Sequence, residues 1–238
     1  MNGVRLALGA LIADFLTQRV LAEPALPLET AVLAQHLRPA DVILVEGNLR
    51  VSTVIKYLTQ STWSHAVLYA GDGECIEADM VAGVRSFRLA ELAHYRVRIC
   101  RALSLTAQDA ACVIAHARAR LGAQYDLKHV ADLARYLLPL PLPRAWRRRA
   151  IALGSGDPSR AICSTLVAES FQAVAYPILP EITHPHDSKA KVRSAREIYH
   201  IHQTGLFVPR DFDLSPYFGI IKPDMPEPFD HHGLHWAP

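Results

Sequence analysis

One cysteine in the second half of the chain has the surroundings that a nucleophile requires. Cys163 lies near the start of a segment, 161–174, in which apolar residues recur at helical spacing. Turn-forming residues precede this predicted helix and Pro177 follows it. Backbone N–H groups at a helix N-terminus favour a thiolate and can stabilise the oxyanion of an acyl-transfer intermediate. The sequence therefore predicts a nucleophile at Cys163, with a buried thiol that only packs as the alternative.

A nucleophilic thiol needs a histidine to take its proton and a third polar group to orient the imidazole ring. Of the 12 histidines, His65 stands out because it begins a strand-like run, His65-Ala-Val-Leu-Tyr-Ala. Glu77 lies in the next strand-like run, Cys75-Ile-Glu-Ala. We predict that His65 is the base and Glu77 the orienting acid, with Asp79 as the alternative. Taken singly, the histidine is also compatible with a core position and the glutamate with a solvated strand.

The register of the predicted hairpin decides whether these two side chains meet. A three-residue loop at Gly71–Gly73 places Glu77 on the face of His65 as its diagonal neighbour, about 7–8 Å away by backbone. A five-residue loop places the two residues directly opposite each other. A two-residue Asp-Gly turn places Glu77 on the other face. The catalytic interpretation therefore requires a loop with an odd number of residues.

Several segments together resemble the permuted papain-like hydrolases, in particular the YiiX/YebB branch of the NlpC-type superfamily, which is related in layout to lecithin retinol acyltransferase. The order of His65 before Cys163 is that of the permuted group and the reverse of papain. The resemblance covers about residues 38–223, and its last segment resembles bacterial proteins often labelled lipo-like. The matching segments are Arg38-Pro-Ala-Asp-Val-Ile-Leu, Ser61-Thr-Trp-Ser-His-Ala-Val-Leu-Tyr, Ile76-Glu-Ala, Gly122-Ala-Gln-Tyr-Asp, Ile162-Cys-Ser-Thr-Leu-Val-Ala and Pro209-Arg-Asp-Phe-Asp-Leu-Ser-Pro-Tyr-Phe.

The resemblance implies a papain-like core in which the nucleophile helix packs on an antiparallel sheet or small barrel. It assigns Cys163 as nucleophile, His65 as base and Glu77 as orienting residue. Tyr125 matches a family position near the active site, where its hydroxyl would assist the oxyanion; a packing tyrosine is the alternative. Mixed helices and short strands with antiparallel neighbours independently predict the α+β class.

The function expected from these residues is a cysteine hydrolase that acts through a thioester, with amide hydrolysis as the first choice. The resemblance implies a peptide-like or acyl-amide substrate, and so an amidase or peptidase. A lipid acyltransferase or deacylase that uses the same Cys163–His65 pair is the second enzyme hypothesis. A binding module on a papain-like scaffold is the hypothesis from another class. The module predicts that His65 and Cys163 lie apart or that the cleft is blocked.

Composition bears on the kind of partner, on disulfides and metals, and on the cellular compartment. A formal charge of +2 is too small to indicate a nucleic-acid partner. The cysteines contain no CxxC pair, so we expect neither disulfides nor a zinc site. We also expect no cofactor, and a reducing, cytoplasmic compartment. Periplasmic export is the weaker alternative, because the apolar run from Leu6 to Ala13 fits an amphipathic helix better than a signal peptide. Three thiols are predicted to be buried: Cys75, Cys100 and Cys112.

The predicted organisation is an N-terminal helical extension (1–37), a hydrolase domain (38–223) and a flexible tail (224–238). Helices are predicted at 31–37, 50–60, 106–121 and 127–138, with Thr106 as an N-cap and a short helix near 89–95. Strands are predicted at 42–45, 65–70, 75–78, 81–87 and 96–101, and a last strand pair at 198–202 and 206–208. The segment 178–194 is predicted to be a loop, and the chain from Asp211 to wrap the surface.

Two further clusters have both functional and ordinary interpretations. A basic segment could contact an anionic lipid headgroup or phosphate, although a solvated basic face is the simpler interpretation. Its members are Arg144, Trp146, Arg147, Arg148 and Arg149. The histidines of the tail could bind a metal adventitiously, but no acid or cysteine at ligand spacing joins them. They are His231, His232 and His235.

Overall fold

The computed structural model describes residues 30–79, 82–124, 162–179, 181–183, 198–200 and 207–223. Helices in these ranges are α1 (Thr30–His36), α2 (Arg50–Thr59), α3 (Ala107–Arg118), α4 (Ile162–Gln172) and α5 (Pro209–Leu214), with a 3₁₀ turn at Leu89–Leu92. Strands are β1 (Val42–Glu46), β2 (His65–Gly71), β3 (Glu74–Asp79), β4 (Gly83–Arg88), β5 (Arg96–Ala102), β6 (Glu181–Thr183), β7 (Ile198–His200) and β8 (Phe218–Ile221). The predicted helix at 127–138, most of the N-terminal extension and the 224–238 tail lie outside the described residues.

Six strands form one sheet in the order β4-β3-β2-β1-β5-β8, and β6 pairs with β7 in a separate ribbon. Every neighbouring pair is antiparallel. The α+β class with an antiparallel sheet, predicted from the sequence, is confirmed. Of the described helices, none is long and apolar enough to span a bilayer.

Strand β1 lies inside the sheet and is buried on both faces. Val42 and Leu44 belong to one apolar cluster, whereas Ile43 and Val45 belong to the cluster on the opposite face. Successive side chains of a strand point to opposite faces, so a strand covered on both sides needs a continuous apolar run. This explains why Val-Ile-Leu-Val shows no polar alternation.

Helix α4, which begins next to Cys163, packs against β2, β3 and α3. Its inward residues Leu166, Val167 and Phe171 are fully buried. The ring of Phe171 packs 5.2 Å from that of Phe218 and so ties α4 to β8. The inward direction predicted for Cys163 is confirmed, since the residue is only 5% exposed.

The predicted N-cap of α3 is confirmed. The hydroxyl of Thr106 accepts a hydrogen bond from the backbone N–H of Asp109 at 3.1 Å. We expect Thr106→Ala to lower the free energy of unfolding by about 1 kcal/mol, because an N–H of the first turn loses its acceptor. Urea unfolding of this variant beside Thr53→Ala, an exposed threonine within α2, measures the difference. Equal losses in the two variants would argue against a capping contribution.

Helix α3 also corrects one prediction. Cys112 was expected to be buried but is exposed. The helix turns Val113, Ile114 and Ala117 toward the core, and a residue one position before that stripe faces solvent. Cys75 and Cys100 are buried as predicted.

The C-terminal part differs most from the sequence interpretation. Ile198–His200 pairs with Glu181–Thr183, inside the predicted loop. Of the partner strand predicted at 206–208, the described residues 207 and 208 are not in a strand. The chain after Asp211 does not simply wrap the surface, because α5 buries Phe212 completely and β8 adds to the edge of the main sheet beside β5.

Candidate active site

The hairpin of β2 and β3 reaches the required register by combining a two-residue turn with a bulge. Asp72 and Gly73 form the turn, both with positive φ (51° and 72°), and Gly71 pairs with Glu74. Continued along the strands, that pairing would place Glu77 on the wrong face. A bulge between Tyr69 and Gly71 adds one residue and brings Leu68 opposite Ile76. The prediction of an odd-numbered loop is therefore wrong, but the bulge restores the register that a three-residue loop would give.

As a result, the side chains of His65 and Glu77 meet on one face. The imidazole Nε2 lies 2.6 Å from Oε2 of Glu77, in a hydrogen bond that joins neighbouring strands. Glu77 is buried, with 7% of its side chain exposed, whereas His65 retains 27%. A buried carboxylate that accepts this hydrogen bond fixes the orientation of the ring and leaves Nδ1 available on its other side.

Cys163 reaches the same imidazole from helix α4. Its sulfur is hydrogen-bonded to His65 and also accepts hydrogen bonds from the backbone N–H groups of Ala66 and Ser164. Ala66 follows the histidine in β2, and Ser164 is in the first turn of α4. The start of a strand and the start of a helix thus converge on one sulfur atom.

These contacts favour a charged pair over two neutral groups. Burial by itself would raise the pKa of Cys163, but the imidazolium of His65 and the hydrogen bonds to the sulfur outweigh it and lower that pKa. Burial also opposes charge on His65, yet the thiolate and the hydrogen bonds with Cys163 and Glu77 raise the pKa of His65 well above its usual range. Both shifts therefore favour a thiolate beside an imidazolium over two neutral groups.

The pKa of Glu77 is lowered despite its burial, which works in the opposite direction. The hydrogen bond and the charge of His65 contribute most to the lowering, and Arg85 adds to it. Arg85 lies directly across from Glu77 in the β3–β4 pair. Its Nε and Nη2 approach Oε1 of Glu77 at 2.8 Å and 2.6 Å. Each carboxylate oxygen thus has its own partner.

A short segment of the C-terminal region supports both halves of the site. The hydroxyl of Ser164 donates to the carbonyl oxygen of Phe207 at 2.6 Å. Six residues later, Asp213 accepts a hydrogen bond from the indole N–H of Trp63 at 3.1 Å. Arg98 pairs with Asp213 at 2.6 Å and lies over the Trp63 ring. The segment 207–213 therefore contacts the neighbours of both Cys163 and His65.

The other predicted site residues have different places. Asp79 accepts the N–H of Ala82 at 2.7 Å in the β3–β4 turn, and the acid bonded to His65 is Glu77. Tyr125 lies outside the described residues, as does the basic segment 144–149. Gly122 and Ala123, which lie shortly before Tyr125 in the chain, form backbone hydrogen bonds with Val84 in β4. Within the described ranges, no cluster of three His, Cys, Asp or Glu side chains could hold a metal ion.

Sequence reasoning missed Arg85 and Asp213. Strand β4 begins at Gly83, opposite Asp79, where φ is +75° and an added Cβ would lie 2.4 Å from the carbonyl oxygen of Ala123. A lone glycine indicates a turn but not its length, so the residue opposite Glu77 was not predictable. Asp213 is more than a hundred positions from its partners, and no local pattern relates them.

Comparisons with known proteins leave the family open. No protein-family model matches the chain, and no curated protein matches it. A crystal structure of the metalloprotein YiiX from Escherichia coli O157:H7 has 16% identity and covers 79% of this chain and 98% of that one, with a TM-score of 0.47.

Proposed function

We propose that this protein is a cysteine hydrolase of the permuted papain-like type that cleaves an amide bond in a peptide-like or acyl-amide substrate. The observation that carries the proposal is the unbroken hydrogen-bonded series from Cys163 through His65 to Glu77. A binding module does not require a thiol and an imidazole in contact, whereas nucleophilic catalysis does.

In the proposed reaction, the thiolate of Cys163 attacks the carbonyl carbon and forms an S–C bond, and the C=O electron pair moves to oxygen. The oxyanion lies near the N-terminus of α4, where N–H groups can stabilise it. When the C–N bond breaks, the leaving nitrogen takes the proton of the His65 imidazolium. Neutral His65 then removes a proton from water, which attacks the thioester, releases the acid and restores the thiolate.

A direct test is to trap the thioester. The protein is incubated at pH 6–7 with a panel of N-acyl amino acid p-nitroanilides, and intact mass and peptide mapping locate the acyl group. We expect an adduct on Cys163 that disappears on longer incubation, and none in Cys163→Ala. Cys112→Ser is the matched control, since it removes an exposed thiol outside the site. Acyl groups spread over Cys112 as well as Cys163 would argue against the proposal.

The same experiment distinguishes the second enzyme hypothesis. A parallel set of phospholipid and p-nitrophenyl acyl esters tests lipid deacylation through the same sulfur. Acylation of Cys163 by the lipid esters, with none by the anilides, would assign the acyltransferase or deacylase activity in place of amide hydrolysis. No adduct from either set would favour the binding module.

A further inference from the structure

Arg85 engages only one oxygen of the acid that orients the imidazole. Its Nε and Nη2 both approach Oε1 of Glu77, at 2.8 Å and 2.6 Å. Oε2 of the same carboxylate is left for Nε2 of His65, at 2.6 Å. The guanidinium is further placed by Phe87, over whose ring it lies at 5.1 Å. Glu77 therefore accepts the hydrogen bond of the imidazole through Oε2, while the guanidinium at Oε1 compensates its negative charge.

We propose that Arg85 is a positioning residue that cancels the charge of Glu77 while leaving its Oε2 free to orient His65. This inference rests on the proposed function, because the imidazolium must lose its proton to the leaving nitrogen during catalysis. A carboxylate without a cationic partner would raise the pKa of His65, so the imidazolium would release its proton less readily. With the guanidinium in place, the ring stays oriented and its proton remains transferable.

Other charged and titratable groups surround this pair on the neighbouring elements. Glu91 of the 3₁₀ turn lies 3.6 Å from the Arg85 guanidinium, and Asp79 of β3 also acts on it. Cys163 approaches from α4, and Cys75 in β3 is affected by Glu77. Loss of Arg85 leaves two further acids near the site. Their charge acts on His65 in the same direction as that of Glu77.

The test measures the protonation of His65 directly, in full-length protein that carries Cys163→Ala. This background removes the thiol that titrates together with the ring. Histidine labelled with ¹³C at Cε1 reports protonation by NMR, and the His65 signal is assigned by its absence in His65→Ala. Because no substrate is needed, this readout does not depend on whether the amidase proposal is correct.

Charge cancellation predicts opposite signs for the two single variants. Glu77→Gln leaves an uncompensated cation, so the titration midpoint of His65 should fall by about one pH unit. Arg85→Gln leaves an uncompensated carboxylate, so the midpoint should rise by about one pH unit. Glu77→Gln combined with Arg85→Gln should return close to the parent, and Arg85→Lys, which keeps the charge, should also remain near it.

Arg88→Gln is the charge-matched control. Arg88 lies in the same strand, but its guanidinium is beside Gly73 in the turn. We expect its loss to move the midpoint by no more than about 0.2 pH units, because the charge is more distant and screened by salt. A midpoint shift as large in Arg88→Gln as in Arg85→Gln would show a general charge effect and overturn the assignment.

A purely mechanical role for Arg85 gives the opposite result. If it only held Glu77 in place, Arg85→Gln would lower the midpoint as Glu77→Gln does. A fall, or no change, would overturn the proposal. The Arg85 side chain is 41% exposed, so we expect the variant to fold, and a thermal melt checks this. Should it unfold, the double variant measured against Glu77→Gln tests the same sign, and a rise is again required.

Discussion

Replacement of His65 by alanine should slow the alkylation of Cys163 by iodoacetamide at pH 6 by about 100-fold or more. The thiolate is the reactive form, and an ordinary cysteine with a pKa of about 8.5 is less than about 1% ionised at this pH. In the wild-type protein the imidazolium of His65 lowers the pKa of Cys163 against the effect of burial. Without that cation, burial raises the pKa and the thiolate is lost.

The measurement is the pH dependence of the labelling rate of each cysteine, mapped by peptide mass. Because the pKa of Cys163 is lowered, wild-type labelling should persist as the pH falls below 8 and decline only through that lowered pKa. Exposed Cys112 is the internal reference, and its rate should not respond to His65→Ala. Burial raises the pKa of Cys75 and of Cys100 to about 12, so both should stay unlabelled. Equal rates at Cys163 in the two proteins would remove the basis of the catalytic proposal.

The alkylation prediction depends on the contact between Cys163 and His65, which the sequence indicated in part. The helical period identified the Cys163 helix, and the strand pattern identified β2 and β3, because both features are local. The hairpin register is less local. Asp72-Gly73 is a two-residue turn signal that by itself puts Glu77 on the wrong face, and the bulge that corrects it leaves no clear mark in the sequence. Only the requirement that His65 contact an acid indicated a register that places both side chains on one face of the sheet.

The C-terminal region shows why the rest was not predictable. The chain from Asp211 is rich in Pro, Asp and His, which predicts a surface segment, yet Phe212 and Phe218 are buried against the core. A six-residue helix has too few positions to show a period. Its structure is decided by partners distant in the chain, such as Trp63 and Arg98 for Asp213. Local propensity cannot supply that information.

The Arg38-Pro-Ala-Asp segment is one of those that carry the family resemblance, and its contacts in the fold show its physical role. Asp41 is 2% exposed and precedes β1, the strand that pairs with the start of β2. Arg101 binds both of its oxygens, Nε to Oδ1 at 2.9 Å and Nη2 to Oδ2 at 2.7 Å. The backbone N–H of Arg38 donates to Oδ2 at 2.7 Å, and Arg101 also donates to the carbonyl oxygen of His36. The pair thus fastens the end of α1 to β5.

Asp41→Ala should therefore reduce the free energy of unfolding by about 3–5 kcal/mol. Removing one partner of a buried ion pair leaves the other charge without compensation, which costs more than the pair itself contributes. Guanidinium chloride unfolding measures the loss. Glu46→Ala is the matched control, since Glu46 also binds two cations, Lys56 and Arg96, both at 3.0 Å, but keeps 25% of its side chain exposed. Solvent-exposed pairs contribute about 0–1 kcal/mol, so this control should unfold close to wild type. Similar losses in the two variants would mean that burial of the Asp41–Arg101 pair does not decide its effect on stability.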